Sequence, residues 1–197
     1  MELKMINHKH KFIFIHIPRT GGTSIEQQFS HDVGVSGDGT KHWNLDQYKE
    51  ALSNEQFDNY FKFTFIRNPW DIVISKYMDR GWYSSPIQGR GGEIGYYSGQ
   101  KLSYFLNHYQ PARHEYGDSF FDYFNPKQID FVGRFEDRDE GLNFISKKIG
   151  INLNPQTKSR SNSDKKHYTE YYDDETRQMV AERYAQDIEL FGYEFES

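Results

Sequence analysis

The 197-residue chain contains no cysteine. That absence excludes a disulfide scaffold, a thiolate nucleophile and any Cys-ligated zinc or iron–sulfur centre. No uninterrupted apolar run exceeds a few residues, whereas a membrane-spanning helix needs about 20. Basic residues are not in excess. The 24 Lys and Arg stand against 29 Asp and Glu, a formal net charge of −5, which is the wrong sign for the basic face of a general nucleic-acid binder. The eight histidines show no His-Glu-x-x-His or similar ligand spacing, so no metal is expected. His8-Lys9-His10 reads as solvated tail. The opening residues lack the apolar stretch of a secretory signal. The expectation is a cytoplasmic protein that engages neither nucleic acid nor membrane.

Aromatic rings are plentiful instead: 16 Phe, 15 Tyr and 3 Trp make up 17% of the chain. That content can offset ordering entropy and build a core, so the chain is not disordered. Its length suits one domain, residues 1–197. Lys11–Ile17 (KFIFIHI) alternates Phe12 and Phe14 with Ile13, Ile15 and Ile17. Apolar side chains on both faces suit a central parallel strand, and Pro18 ends it. Thr23-Ser24-Ile25-Glu26 reads as a capping box opening a short helix, and Asn44 with Gln47 starts a second one running to about Leu52. A second strand follows at Phe61–Ile66, then a helix from Trp70 to about Met78 with Asn68-Pro69 at its start.

Residues 79–129 change character, with 7 of the 16 glycines and 12 of the 34 rings. Helical patches are expected there near Leu102–Tyr109 and Ser119–Phe124. Ile129–Val132 reads as a third strand, and Asp137–Ile149 as a helix stopped by Gly150. Residues 156–167 are polar and basic. A last helix from about Asp174 to Phe191 places Thr176, Val180, Tyr184, Ile188 and Phe191 on one face and stops at Gly192. Strands alternating with helices predict an α/β fold, a parallel sheet flanked by helices with a small aromatic and glycine-rich helical insert.

Pro18-Arg19-Thr20-Gly21-Gly22-Thr23-Ser24 lies between a buried strand and a helix N-terminus. There the unpaired backbone N–H groups and the helix dipole favour an anion. Glycines allow close approach, the hydroxyls of Thr23 and Ser24 add polar contacts, and Arg19 adds positive charge. A glycine turn with a helix cap is the plainer reading; the clustering of Arg, Gly and hydroxyls in one turn favours anion binding. A nucleotide triphosphatase would need Lys after the second glycine, and Thr23 stands there, which disfavours ATP hydrolysis.

Phe63–Asp71 (FTFIRNPWD) repeats the strand-to-helix pattern. Arg67 leaves the strand at its carboxyl end, where open α/β sheets bind ligands. Ser75 lies about two turns into the following helix. Together they suit a second phosphate; taken singly, an Arg67–Asp71 pair at the helix start explains the arginine better, but two such anchors on successive strand-helix units favour a ligand with two separated anions.

HIPRTGGTSIE resembles the 5′-phosphosulfate-binding loop of sulfotransferases, and FIRNPWDIVISKY resembles their 3′-phosphate-binding motif. KHWNLDQYKEALSNEQFDNYFKF is similar to the segment carrying the catalytic histidine in the Golgi-type group, which includes heparan sulfate 2-O-sulfotransferase. IDFVGRFEDRDEGLNFI and YYDDETRQMVAERYAQDIELFGYEF are similar to later segments of the small bacterial members. The resemblance covers nearly the whole chain apart from residues 79–129. It implies a P-loop-like fold, 3′-phosphoadenosine 5′-phosphosulfate (PAPS) as donor, PAP as product, and a hydroxyl acceptor of carbohydrate type. By the same resemblance Arg19, Thr20, Gly21, Gly22, Thr23 and Ser24 hold the 5′-phosphosulfate, and Arg67 and Ser75 the 3′-phosphate. The basic stretch around Lys158, Arg160, Lys165 and Lys166 reads first as a solvated loop; as one that closes over the donor or attracts an anionic acceptor, it offers Arg160 and Ser161 as further candidates.

Many family members have Lys where this chain has Arg19. Arginine keeps the charge but gives up no proton, so it suits electrostatic support of the leaving oxygen. His42 reads from the residues alone as a surface histidine beside Trp43; the resemblance makes it the base that removes the acceptor proton. His16, His108 and His114 are the competing candidates. The rings of residues 79–129 suit stacking on sugars and equally suit a local core. A P-loop kinase and a non-catalytic binder of PAP or a sulfated ligand remain as other readings; the kinase lacks its lysine, and the binder would need no base.

Overall fold

The structure, a computed structural model, describes residues 5–29, 41–78, 101–109, 117–154 and 166–196. In chain order the strands are β1 (Ile6–Asn7), β2 (Phe12–Ile15), β3 (Phe61–Ile66) and β4 (Phe131–Arg134). The helices are α1 (Gly22–Phe29), α2 (Leu45–Ala51), α3 (Asn54–Asn59), α4 (Pro69–Tyr77), α5 (Leu102–His108), α6 (Arg138–Ile149), α7 (Asp174–Arg183) and α8 (Ala185–Phe191). The chain divides into two compact units, Met1–Arg67 with Phe120–Ser161 and Asn68–Ser119 with Asn162–Ser197.

The first unit holds the sheet, in the order β1-β2-β3-β4. β2, β3 and β4 are parallel, in the register Ile15↔Thr64 and Ile66↔Arg134. β2 is buried on both faces, as its sequence predicts: Phe12, Ile13, Phe14 and Ile15 are all inaccessible. Phe12 meets Phe29 of α1 at 4.9 Å and Phe63 of β3 at 5.6 Å. The Thr64 hydroxyl, also buried, donates to the Ile15 carbonyl at 2.7 Å. That bond ties down the last residue of β2 before the chain turns.

Several expectations change. β1 pairs antiparallel with β2, so the histidines assigned to a solvated tail lie beside the sheet. His8 Nδ1 lies 2.7 Å from the Tyr60 hydroxyl, and His10 Nδ1 donates to the Ile149 carbonyl at 2.9 Å. Those long-range partners outweigh the polarity of the segment. The capping box at Thr23 does not form, because α1 already begins at Gly22 and puts Thr23 inside its first turn. The capping box of Asn44 with Gln47 does form and opens α2. α3 was not expected, although Ser53 and Gln56 carry the same box in the sequence. The third strand lies two residues further on than Ile129–Val132, and Ser119–Phe124 yields only a single turn at Phe120–Asp122. α6 stops at Gly150 as predicted.

In the second unit, the Asn68 side chain accepts from the Trp70 amide and Pro69 opens α4. α4 buries Trp70, Ile72, Val73 and Ile74, and the Trp70 indole donates to the Arg177 carbonyl at 3.1 Å. The predicted last helix is two helices, α7 and α8, meeting at Tyr184. Thr176, Val180 and Tyr184 are buried as expected. Beyond the break the buried position passes to Asp187, which accepts from the Ser119 hydroxyl at 2.9 Å. Among the described residues no helix is long and apolar enough to cross a membrane.

The Phe65 ring is caught between Gly133 of β4 and Gly141 of α6. A Cβ at Gly133 would come within 2.6 Å of that ring, and one at Gly141 within 2.8 Å. Phe65 is itself fully buried and has no room to retreat. Gly133→Ala should therefore lower stability by about 1–3 kcal/mol, the usual cost of overpacking. Adding Phe65→Leu should recover part of the loss. Urea denaturation of the single and double variants checks this.

Candidate active site

Parallel pairing brings the residues that follow β2, β3 and β4 together at one end of the sheet: His16, Arg67 and Phe135. The Phe135 amide donates to the Ile66 carbonyl at 2.8 Å, continuing the register beyond β4. The Arg67 guanidinium lies over the Phe135 ring, 4.2 Å from its centroid, and Nη1 donates to the Arg19 carbonyl at 3.0 Å. A cation over a ring is attracted to its face, so Phe135 and Arg19 together orient Arg67.

The loop from Ile17 to Gly22 is tightly constrained. Thr20 is buried and its hydroxyl donates to the Ile17 carbonyl at 2.9 Å. Arg19 has φ +67 and Gly21 φ +81. The left-handed conformation is ordinary for glycine and costly for arginine. A Cβ on Gly21 would come within 2.8 Å of the Phe135 ring. A Cβ on Gly22 would come within 2.1 Å of the His16 ring. Both glycines are therefore required by close contact, and the amides of Gly22 and Thr23 open α1 without intrahelical partners. The Ser24 hydroxyl is turned inward and donates to the Gly21 carbonyl at 2.9 Å, while Thr23 is exposed.

His42 stands beside this loop. Its Nδ1 lies 2.8 Å from the His16 carbonyl oxygen, and its ring lies 4.7 Å from the His16 ring, tilted by 59°. A carbonyl can only accept, so Nδ1 carries the proton, and in neutral His42 the lone pair is on Nε2. An imidazole so held is competent to receive a proton at Nε2.

His16 itself is 2% exposed. Burial first, then the neighbouring His42 and Lys41, pushes its pKa well below the ordinary value. It is a neutral structural ring, poorly suited to be the base. His108, the next competitor, is exposed at the end of α5, where its Nδ1 donates to the Tyr104 carbonyl at 2.8 Å. Ser75 lies on α4 in the second unit, part-buried. His114, Arg160 and Ser161 lie outside the described residues. Among the described residues no group of three or more His, Asp or Glu is placed to hold a metal ion.

The sequence reading missed Phe135, the plate under Gly21 and Arg67; its only signal is an aromatic directly after the third strand. It also gave Glu26 only a capping role and Lys41 none. Lys41 Nζ lies 2.7 Å from Glu26 Oε2 and 3.5 Å from the Thr23 hydroxyl.

The profile of the sulfotransferase family matches residues 4–194. Among solved structures, the crystal structure of mouse sulfotransferase SULT7A1 complexed with PAP is similar to this chain, with a TM-score of 0.56 at 13% identity. The alignment covers 94% of this chain and 87% of that one. At that identity the likeness is one of fold. No curated protein matches the chain.

A buried histidine with a depressed pKa makes stability depend on pH. The unfolded chain takes up a proton at His16 below about pH 6.5, the folded protein only at much lower pH. Stability is thus fully present above pH 6.5 and lost as pH falls below it, by up to about 1.4 kcal/mol per pH unit. His16→Phe, which keeps a ring against Gly22, should flatten that slope between pH 6.5 and 5. Urea midpoints of both proteins across that range test it.

Proposed function

This chain belongs to the sulfotransferase family, and from that premise we propose that it transfers the sulfuryl group of PAPS to a hydroxyl of a carbohydrate acceptor. The loop after β2 serves as the donor cradle and His42 as the base. The bond from His42 Nδ1 to the His16 carbonyl carries this reading. It ties the candidate base to the residue that backs the cradle glycine, and it leaves Nε2 as the basic atom.

In the reaction the acceptor oxygen attacks sulfur, the bond from sulfur to the bridging oxygen breaks, and PAP leaves. His42 Nε2 takes the acceptor's proton. The backbone N–H groups of Gly21, Gly22 and Thr23 hold the 5′-phosphosulfate at the helix N-terminus, while the Ser24 N–H donates to the Gly21 carbonyl at 3.2 Å and braces the turn. Arg19 steadies the charge growing on the bridging oxygen, a contribution made mainly in the transition state. Arg67 binds the 3′-phosphate, and the resemblance of its motif pairs it with Ser75. The carbohydrate class is supported by the resemblance to the group that includes heparan sulfate 2-O-sulfotransferase, and by the rings concentrated in residues 79–129.

PAP should raise the melting temperature more than ADP does, without Mg²⁺, because only PAP offers a 3′-phosphate to Arg67. Equal shifts from the two nucleotides would remove the 3′-phosphate assignment and favour a kinase.

His42→Ala should lower kcat by roughly 10²–10⁴ and abolish the acidic limb of kcat/KM, with PAP affinity within a few-fold of the unaltered protein. A base must be neutral to act, so the unaltered enzyme loses kcat/KM once His42 is protonated. Initial rates with PAPS and a panel of sugar acceptors between pH 5 and 8 decide it. Undiminished turnover in the variant would place the base elsewhere.

A further inference from the structure

Beside the cradle lies a group of polar side chains that the reaction above leaves unused. Glu26, in α1, has a side chain only 18% exposed, and its Oε2 is 2.7 Å from Lys41 Nζ. The same oxygen is 3.6 Å from Nδ1 of His16, beyond hydrogen-bond reach. His16 Nδ1 is buried and has no hydrogen-bond partner. Glu26 Oε2 therefore stands between the Lys41 ammonium, with which it forms an ion pair, and the unpartnered Nδ1 of His16. Lys41 in turn stands between Glu26 and the exposed Thr23 hydroxyl, 3.5 Å away, and is the chain neighbour of His42. Its ammonium is at the rim of the cradle, on the side of the candidate base.

We propose that Glu26 exchanges partners when the donor binds: Lys41 leaves it for the sulfonate of PAPS beside Thr23, and Glu26 closes on the Nδ1–H of His16. The proposal rests on the sulfuryl-transfer reading. No bond is made or broken; one ion pair is traded for another, and the carboxylate left behind is met by a buried donor. The groups facing His16 are His42, Lys41 and Glu26, and His16 acts as a neutral donor throughout. Once the sulfuryl group has moved to the acceptor, PAP has no sulfonate to hold Lys41, and the ammonium returns to Glu26. Lys41 and Glu26 thereby distinguish donor from product, favouring PAPS on entry and PAP on release.

Titration calorimetry of the full chain with PAPS and with PAP, without acceptor, tests this through the ratio of the two affinities. Lys41→Met should lower the PAPS-to-PAP ratio about tenfold, the loss of one charged hydrogen bond. Glu26→Gln should raise the ratio several-fold, because nothing then competes for Lys41. His16→Phe should lower the ratio several-fold, but not when Glu26→Gln is also present. Should His16→Phe fail to fold, the Lys41 and Glu26 variants still decide the matter. An unchanged ratio in Lys41→Met, or a lowered one in Glu26→Gln, overturns the exchange while leaving the sulfuryl-transfer reading in place. If the unaltered protein binds neither nucleotide, that reading falls and the exchange with it.

Discussion

The ring of His16 lies against the Cα of Gly22, and the geometry of the candidate site depends on that contact. No side chain fits at Gly22, since a Cβ would overlap the imidazole at 2.1 Å. The loop is therefore drawn down onto the end of β2, and α1 begins at Gly22, one residue before Thr23. The same histidine offers its carbonyl to His42, so one residue backs the cradle and anchors the candidate base. Its burial keeps it neutral, which avoids two like charges at a ring separation of 4.7 Å.

A second constraint comes from the sheet. Because β2, β3 and β4 run parallel, the chain leaves all three at the same end, the end where open α/β sheets present their ligand-binding loops. Phe135 then lies under both Gly21 and Arg67, and Arg67 reaches the Arg19 carbonyl. The positive φ of Arg19 is a cost that the surrounding bonds hold in place, and backbone strain of this kind gathers at functional loops. The hydroxyls divide between two tasks. Those of Thr20 and Ser24 brace the loop from within, while Thr23 faces outward near Lys41.

Much of this was legible in the residues. The double-faced apolar pattern of KFIFI gives a buried parallel strand, and Asn44 with Gln47 gives a capped helix. His42, by contrast, looks like any surface histidine beside a tryptophan until its Nδ1 is seen to meet a carbonyl 26 residues away. The histidines at 8 and 10 look like a tail because β1 is two residues long and carries no periodicity. The break at Tyr184 escapes notice because the apolar spacing from Thr176 to Phe191 runs on without interruption.

Local chemistry is what a sequence can specify alone: strand patterning, cap residues and glycines at turns. These depend on neighbours within a few positions, and so they determined the fold class in advance. The partners of His16 could not be known that way. Its contacts with Gly22, Glu26 and His42 join the end of a strand, the first turns of a helix and a turn beyond residue 40. Only the packing of those pieces decides that one buried ring meets all three, because distance through space, and not position along the chain, sets which polar groups lose water together.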